Sequence, residues 1–314
     1  MAPPRTAMNI LPLPAGGHLQ IASLIHRALV VWYEARLRQG ARFGTSAEPF
    51  LLFPAVYEAL DPGQAVGAYG GDGALRGVCF IHERETHFAL GIVATEPECA
   101  GGGVARAMVQ VALERARLAG KPVRLVSSLL NLDSFSLYSR LGFYPHTIYQ
   151  DLSFDIPAEG MACPAPESAL RVRPARGEEA AGIADLEMEL QGVRREKDYR
   201  FFLENGVGQW SVWVCEDASG ALCGALVSSC HPHWGMLGPG VARDTSTALG
   251  LLWTALDARR GRNTVVLAPS AEVGLLRTLY AWGGRNIELH AAQILGSLPL
   301  VSGIAFPTFL PESA

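Results

Sequence analysis

The spacing of apolar residues in the first half of the chain alternates between the two-residue period of strands and the wider period of amphipathic helices. In chain order the pattern predicts strand 8–13, helix 19–37, helix 50–60, strands 64–69, 76–82 and 87–95, a helix that starts at 104, strand 123–126, a further helix that closes at Gly142, and a strand near 148–154. The first half is therefore an α/β unit that contains a three-strand meander.

The second half repeats this plan after a segment punctuated by Pro157, Pro164 and Pro166. The pattern there predicts strand 170–174, a helix near 178–191, strands 211–216, 222–230 and 235–241, a helix that ends at Arg259, strand 265–268 and helix 272–282. We interpret this order as an internal duplication. The expected domains are 1–156 and 169–314, joined by a linker at 157–168.

Composition narrows the class of protein. Of the 314 residues, 49% are hydrophobic, which argues for a folded chain of two domains. A net charge of −4 argues against nucleic-acid binding and fits an amine substrate. The six cysteines form no C-x-x-C pair, and no apolar stretch reaches the length of a membrane span. We therefore expect a cytoplasmic protein without a membrane contact, and no metal site.

A run of three consecutive glycines, 101–103, stands between an apolar strand that ends at Thr95 and a helix that begins at Val104. Such a strand-to-helix turn exposes backbone N–H groups at the positive end of the helix dipole, and the missing Cβ atoms let a ligand come close. The pattern therefore indicates an anionic ligand, with pyrophosphate the best fit.

Two common kinds of phosphate-binding turn do not fit these residues. A P-loop needs Lys followed by Ser or Thr, where this chain has Val104 and Ala105. A dinucleotide fold needs an acidic residue at the end of the next strand, where this chain has Ser127 and Ser128.

Two stretches together resemble the GNAT superfamily of N-acetyltransferases. Thr95-Glu-Pro97 followed by Ala-Gly-Gly-Gly-Val-Ala at 100–105 is similar to the pattern V-x-P then R/Q-x-x-G-x-G/A, which binds acyl-CoA, with Ala100 at the Gln/Arg position. The segment 131–143, NLDSFSLYSRLGF, is similar to N-x-x-A-x-x-x-Y-x-x-x-G-F.

This resemblance implies a fold of the α/β (α+β) class with two tandem GNAT-like domains, each a mixed, mostly antiparallel twisted sheet flanked by helices. The chain resembles tandem bacterial GNAT proteins with a competent N-terminal domain and a degenerate C-terminal repeat. The helix entry in the second half, 243–247, contains no glycine.

The resemblance also implies an N-acetyltransferase that moves an acetyl group from acetyl-CoA directly to an amine acceptor in a ternary complex. Tyr138 matches the family's general acid. The implied coenzyme-binding residues are Val93, Ala94 and Thr95 on the strand, Gly101, Gly102, Gly103, Val104 and Ala105 at the turn, Arg106 on the helix, and Asn131.

The general base is the open question in this interpretation. Family members that use a glutamate carry it at the position of Ala89, which has no titratable group. His87 lies two residues earlier, and we expect it to serve as the base. The alternatives are the adjoining turn with His82, solvent, or the C-terminal tail at 303–314, which is expected to dock near the acyl site. Ala89 and Ala100 also leave a second function open, that of a non-catalytic acyl-CoA-binding or sensing protein.

Overall fold

The computed structural model describes residues 8–308. Contacts divide this part of the chain into two compact units. The first unit contains the residues up to Glu83 together with Phe88–Val123, and the second contains Arg84–His87 together with everything from Arg124 onward.

The first unit is an antiparallel meander with helices packed against it. Its elements are β1 (Asn9–Pro12), α1 (His18–Leu37), α2 (Leu52–Leu60), β2 (Val66–Tyr69), β3 (Leu75–Glu83), β4 (Phe88–Thr95) and α3 (Val104–Ala119). The strands pair in sequence order, each antiparallel to the next.

Close helix–strand contacts form the core of this unit. A Cβ atom on Gly77 of β3 would lie 2.9 Å from Cε of Met108 in α3 and 3.1 Å from the backbone oxygen of Ala94, so Met108 packs directly against the strand at this glycine. Helix α2 contacts the same strand through Tyr57, whose ring centroid is 4.5 Å from that of Phe80. The order and type of the predicted elements in this unit are confirmed, with ends that differ by one or two residues.

The second unit holds the remaining elements. They are β5 (Val123–Ser128), α4 (Leu132–Arg140), β6 (Tyr144–Asp155), β7 (Val172–Pro174), α5 (Ala180–Gln191), α6 (Glu196–Glu204), β8 (Trp210–Glu216), β9 (Leu222–Cys230), β10 (Gly235–Ala242), α7 (Thr245–Asp257), β11 (Asn263–Pro269), α8 (Val273–Ala281), β12 (Arg285–Leu295) and β13 (Ile304–Phe306). The strand order is β5-β12-β6-β11-β10-β9-β8-β7, with β13 on β10. The predicted class, a mixed and mostly antiparallel sheet with helices, is confirmed.

Strand β6 comes from the first half of the sequence but pairs with two strands of the second half. It is antiparallel to β11 on one edge and to β12 on the other, and β12 in turn lies beside β5. The boundary between the two compact units therefore reflects strand pairing and does not coincide with the boundary between the two halves of the sequence. The boundaries at 156 and 169 describe the duplication and stay a prediction.

The proline-punctuated segment and the tail both contact the second unit. The backbone N–H of Met161 donates to Asp257 of α7 at 2.9 Å, and Ser168 is buried. Further on, β13 adds to β10, with Phe306 fully buried. The tail therefore docks on β10, while its last six residues, 309–314, lie outside the described part.

Two sequence expectations were wrong in detail. His87 precedes β4 instead of belonging to it, because Arg84 N–H donates to His87 O at 2.8 Å and closes the turn between β3 and β4. Strands β12 and β13 were not predicted, and neither was helix α6, whose apolar positions are few. Its Phe202 packs on Trp210 with ring centroids 4.8 Å apart, so a tertiary contact stabilises it.

Ion pairs hold the 84–87 turn and the loop between α5 and α6. Arg84 pairs with Asp198 at 2.6 Å, and both side chains are buried. In the same region, Arg195 donates to Glu187 from Nε at 3.0 and 3.1 Å and from Nη2 at 2.5 Å. None of the helices in the described range is long and apolar enough to cross a membrane.

We expect Arg195→Met to destabilise the protein strongly, because the side chains of Arg195 and Glu187 are only 2% and 4% exposed. Removing one partner of such a pair leaves a buried charge, which costs about 3–5 kcal/mol. The melting temperature should fall by roughly 10 °C. Arg38→Met is the control, because the side chains of Arg38 and Glu34 are 85% and 53% exposed and 3.9 Å apart. Equal melting temperatures for the two variants would contradict the expectation.

Candidate functional site

The glycine turn is a tight connection between β4 and α3. A short 3₁₀ turn, Pro97–Cys99, leads into it, and Gly102 N–H donates to Cys99 O at 3.1 Å. Gly101 and Gly103 have φ of +75° and +85°, the left-handed region that favours glycine. The repeated glycines are therefore needed to make this turn.

The start of α3 is open to a ligand. Gly103 is its N-cap residue, and within residues 8–308 no side chain caps the helix and no acidic residue stands in its first turn. All three glycines are exposed, and a Cβ on Gly101 or Gly103 would meet nothing within 4 Å. Val104 is buried and anchors the helix, while Arg106 is exposed. The uncapped N–H groups and the dipole of α3 favour an anion here.

Ion pairs brace the loop that precedes the turn. Glu96 accepts two hydrogen bonds from Arg27 of α1, one of them from Nε at 3.2 Å. The bond to Glu96 raises the pKa of Arg27 above its usual value. Arg76 of β3 reaches Glu98 at 3.2 Å and Asp72 at 2.7 Å. The exit of β4 is therefore fixed relative to α1 and β3.

The end of β4 leads directly to this loop. Val93, Ala94 and Thr95 lie opposite Cys79, Val78 and Gly77 of β3. Ala94 is buried, whereas Val93 and Thr95 are partly exposed. Most of the predicted coenzyme-binding residues lie in the first unit. They are the strand residues 93–95, the turn 101–105 and Arg106.

The corresponding helix start in the second half is capped by its own chain. Asp244 is the N-cap residue of α7, and its Oδ1 accepts from Thr247 N–H at 2.8 Å. A carboxylate thus occupies the position where a phosphate would bind. The difference between the two helix starts supports the interpretation that only the first half binds a coenzyme.

Asn131 and Tyr138 belong to α4 in the second unit. Asn131 is the N-cap residue, and its Oδ1 accepts from Ser134 N–H at 3.0 Å, so helix capping explains this residue. Tyr138 is buried, and its ring packs edge-on against Phe143 with centroids 5.7 Å apart. Their predicted roles toward a ligand stay predictions.

His87 is held by the second unit. It is buried, its Nδ1 lies 3.1 Å from Thr86 Oγ1, and that hydroxyl oxygen accepts from Arg194 N–H at 3.0 Å. These contacts describe a residue that fixes the 84–87 turn. Its assignment as the general base stays a prediction with no added support from this environment.

The sequence interpretation missed a polar cluster on three strands of the second unit. Ser128 of β5 donates to Glu288 of β12, and His290 of β12 contacts Asp151 of β6 at 2.8 Å between Nδ1 and Oδ1. The alternation of Glu288 and His290 with apolar neighbours was visible in the sequence. Which of the two strand faces is buried was not.

Cys79 and Cys99, the two cysteines of the first unit, are unsuited to nucleophilic chemistry. Burial and the neighbouring Glu98 raise the pKa of Cys99, which lies beside the glycine turn, and burial raises the pKa of Cys79 to about 12. Both thiols therefore stay protonated at neutral pH. Among residues 8–308, no group of three or more His, Cys, Asp or Glu side chains is arranged to hold a metal ion.

Comparison with known proteins agrees with this geometry. Residues 26–143 match the acetyltransferase (GNAT) family. No curated protein matches the sequence.

Solved structures extend the likeness to both halves. A proposed acetyltransferase from Pyrococcus horikoshii has a TM-score of 0.74 at 14% identity, over 96% of this chain and 95% of that one. A GCN5-related N-acetyltransferase from Sphaerobacter thermophilus has a TM-score of 0.62 at 19% identity, over 96% and 99%. A tandem GNAT protein from the clavulanic acid biosynthesis pathway has a TM-score of 0.59 at 15% identity, over 94% and 100%. At these identities the likeness establishes the fold.

We expect Cys99 to react slowly with iodoacetamide at neutral pH. Its raised pKa keeps the thiol protonated, so the alkylation rate should stay below that of free cysteine and should rise only above the usual thiol range. Mass spectrometry of the Cys99 peptide against pH measures this rate. Glu98→Gln removes one of the neighbouring negative charges and should shift the profile to lower pH. An alkylation rate of Cys99 that already reaches its maximum near neutral pH would contradict the raised pKa of this thiol.

Proposed function

We propose that the protein transfers an acetyl group from acetyl-CoA directly to an amine acceptor, and the match of residues 26–143 to the acetyltransferase (GNAT) family supports this proposal. The observation that carries this proposal is the start of α3, where exposed glycines and an uncapped helix leave room and backbone donors for a pyrophosphate. The pyrophosphate fits this helix start for two reasons. The first turn of α3 carries no carboxylate that would repel it, and Gly101 and Gly103 have no Cβ atom that would block its approach.

The proposed roles of the site residues follow the chemistry of a thioester. The N–H groups of Gly101 and of residues 103–106 bind the pyrophosphate, while Gly102, whose N–H donates to Cys99 O, contributes by its missing side chain. The backbone of Val93, Ala94 and Thr95 pairs with the amides of the pantetheine arm as an added strand would. A strand N–H polarises the acyl carbonyl. Asn131 contributes through the start of α4, and Arg106 supplies a nearby positive charge.

The transfer itself forms a carbon–nitrogen bond to the amine and breaks the carbon–sulfur bond. Tyr138 gives its phenolic proton to the departing thiolate. The protonated cysteines near β4 support direct transfer without an acyl-enzyme. The free state of all six cysteines, which lie within residues 8–308, supports the proposed cytoplasmic location.

A panel of primary amines incubated with acetyl-CoA, with release of the CoA thiol as the readout, tests the proposal. Release that depends on an amine identifies an acetyltransferase. Tight binding of acetyl-CoA without any transfer would instead identify the binding or sensing protein that Ala100 left open.

We expect one coenzyme per chain by calorimetry, because Asp244 already caps the start of α7. Gly103→Ala should weaken acetyl-CoA binding by about tenfold, or about 1.4 kcal/mol, since the added Cβ points where the phosphates approach. Gly120→Ala is the matched control at the other end of the same helix, with φ of +66° and open space around it. Two equal sites per chain, or equal affinities of the two variants, would contradict this model of binding.

We expect Tyr138→Phe to lower kcat by about 10²-fold while the affinity for acetyl-CoA stays the same. The ring and its packing on Phe143 are kept, and only the proton donor is lost. Tyr280→Phe is the control, because Tyr280 of α8 has the matching position in the second half of the sequence. It precedes Gly284 by four residues, just as Tyr138 precedes Gly142 by four residues. If Tyr138→Phe retained full turnover, the tyrosine would be a packing residue only.

A further inference from the structure

The segment that leads into the glycine turn is acidic. Residues 95–105 include Glu96 and Glu98 and no basic residue. Ala100, at the Gln/Arg position of the coenzyme motif, adds no charge of its own. A carboxylate near a bound pyrophosphate repels it, and this repulsion opposes the attraction of the backbone N–H groups. A site for an anion at this turn therefore needs positive charge from outside the segment.

The loop is compact, so its charges act on the glycines. Cys99 N–H donates to Glu96 O at 2.9 Å, and Gly102 N–H in turn donates to Cys99 O at 3.1 Å. Two successive turns thus connect Glu96 to the start of α3. Salt at 0.1 M screens charges only beyond about 10 Å. Carboxylates on so short a loop therefore influence an anion at the glycines.

Arg27 of α1 neutralises the more buried of the two carboxylates. Its Nε donates to one oxygen of Glu96 at 3.2 Å, and its Nη2 donates to the other. The side chain of Glu96 is 10% exposed, whereas that of Arg27 is 51% exposed. A bidentate pair of this kind is strong and fixes the orientation of both groups. The charge of Glu96 is thus cancelled by a residue that lies far from it in the sequence.

Arg76 of β3 neutralises the second carboxylate. Its Nη1 lies 3.2 Å from Glu98 Oε1, and its backbone O accepts from Glu96 N–H at 2.8 Å. Its Nη2 also contacts Asp72 at 2.7 Å. The side chain of Glu98 is 62% exposed, so solvent weakens this pair relative to that of Arg27. Both arginines and both glutamates belong to the first unit.

We propose that Arg27 and Arg76 are positioning residues for the coenzyme, which cancel the charges of Glu96 and Glu98 and thereby allow the glycine turn to bind a pyrophosphate. This inference rests on the proposed function. Neither arginine has to touch the ligand, since each acts through a carboxylate of the loop. Their contribution should therefore depend on the charge of the ligand, whereas a purely structural contribution would not.

The test compares two ligands that share the acyl thioester and the pantetheine arm. Acetyl-CoA carries the phosphates, and acetyl-pantetheine carries none. Calorimetry with the full-length protein, by competition for the weaker ligand, measures both affinities. Arg27→Met should weaken acetyl-CoA binding by about fivefold, the scale of a charge interaction near a protein surface. The affinity for acetyl-pantetheine should stay nearly unchanged.

Two further single variants complete the comparison. Arg76→Met should show the same selectivity with a smaller loss, because Glu98 is the more exposed carboxylate. Arg38→Met is the control, since Arg38 is the C-cap residue of α1, the helix that carries Arg27, and pairs only with the exposed Glu34. It should bind both ligands as the wild type does.

A double variant separates charge cancellation from mechanical support. Arg27→Met together with Glu96→Gln removes both charges of the pair and keeps the approximate size of both side chains. Charge cancellation predicts that acetyl-CoA binding returns nearly to the wild-type affinity. Weak binding of both ligands by the double variant means that the pair only holds the loop, and overturns the inference. Because this variant leaves no unpaired carboxylate, its affinities decide the question if Arg27→Met fails to fold.

Cys99 gives a second measurement, which needs no ligand. Burial and Glu98 raise the pKa of its thiol, whereas Arg76 lowers it. Arg76→Met should therefore shift the alkylation profile of Cys99 to higher pH. An unchanged profile would contradict the cancellation of charge at Glu98.

Failure of this inference can be told from failure of the proposed function. Equal losses for the two ligands in Arg27→Met, or full acetyl-CoA affinity, overturn the inference even where the protein transfers acetyl groups. A wild type that binds acetyl-CoA and transfers to no amine refutes the proposed function, and the comparison of ligands still decides the role of the arginines. A wild type that binds no acetyl-CoA refutes both.

Discussion

The pairing of β6 with both β11 and β12 is the constraint on which the second unit depends. A strand that hydrogen-bonds on both edges cannot leave the sheet without exposing two rows of backbone groups. Because β12 also lies beside β5, strands from the two sequence halves alternate across this part of the sheet. Two duplicated halves that folded independently would form separate sheets. The strand order β5-β12-β6-β11 instead interlocks the two halves of the sequence.

That interlocking has a chemical consequence. It brings residues of the second half, Glu288 and His290, next to Ser128 and Asp151 of the first.

The two helix starts show how small a change separates a binding turn from a structural one. At α3 the glycines leave the N–H groups and the dipole without a partner from a side chain in the described chain. At α7 a single carboxylate, Asp244, satisfies the same groups internally. Both arrangements occur at a helix N-terminus in this chain, and only the first leaves backbone N–H groups open toward an external anion.

The sequence by itself determined most of the strands and helices, though not α6, β12 or β13, and it determined the position of the glycine turn, because these depend on local periodicity and on residues adjacent in the chain. It did not determine the partners of β6 and β12, since strand pairing joins residues more than a hundred positions apart. The turn position of His87 and the capping role of Asn131 likewise emerged from contacts. At residues 287–290 of β12, alternation specified two faces, and only tertiary packing decided that Glu288 and His290 lie on the buried one.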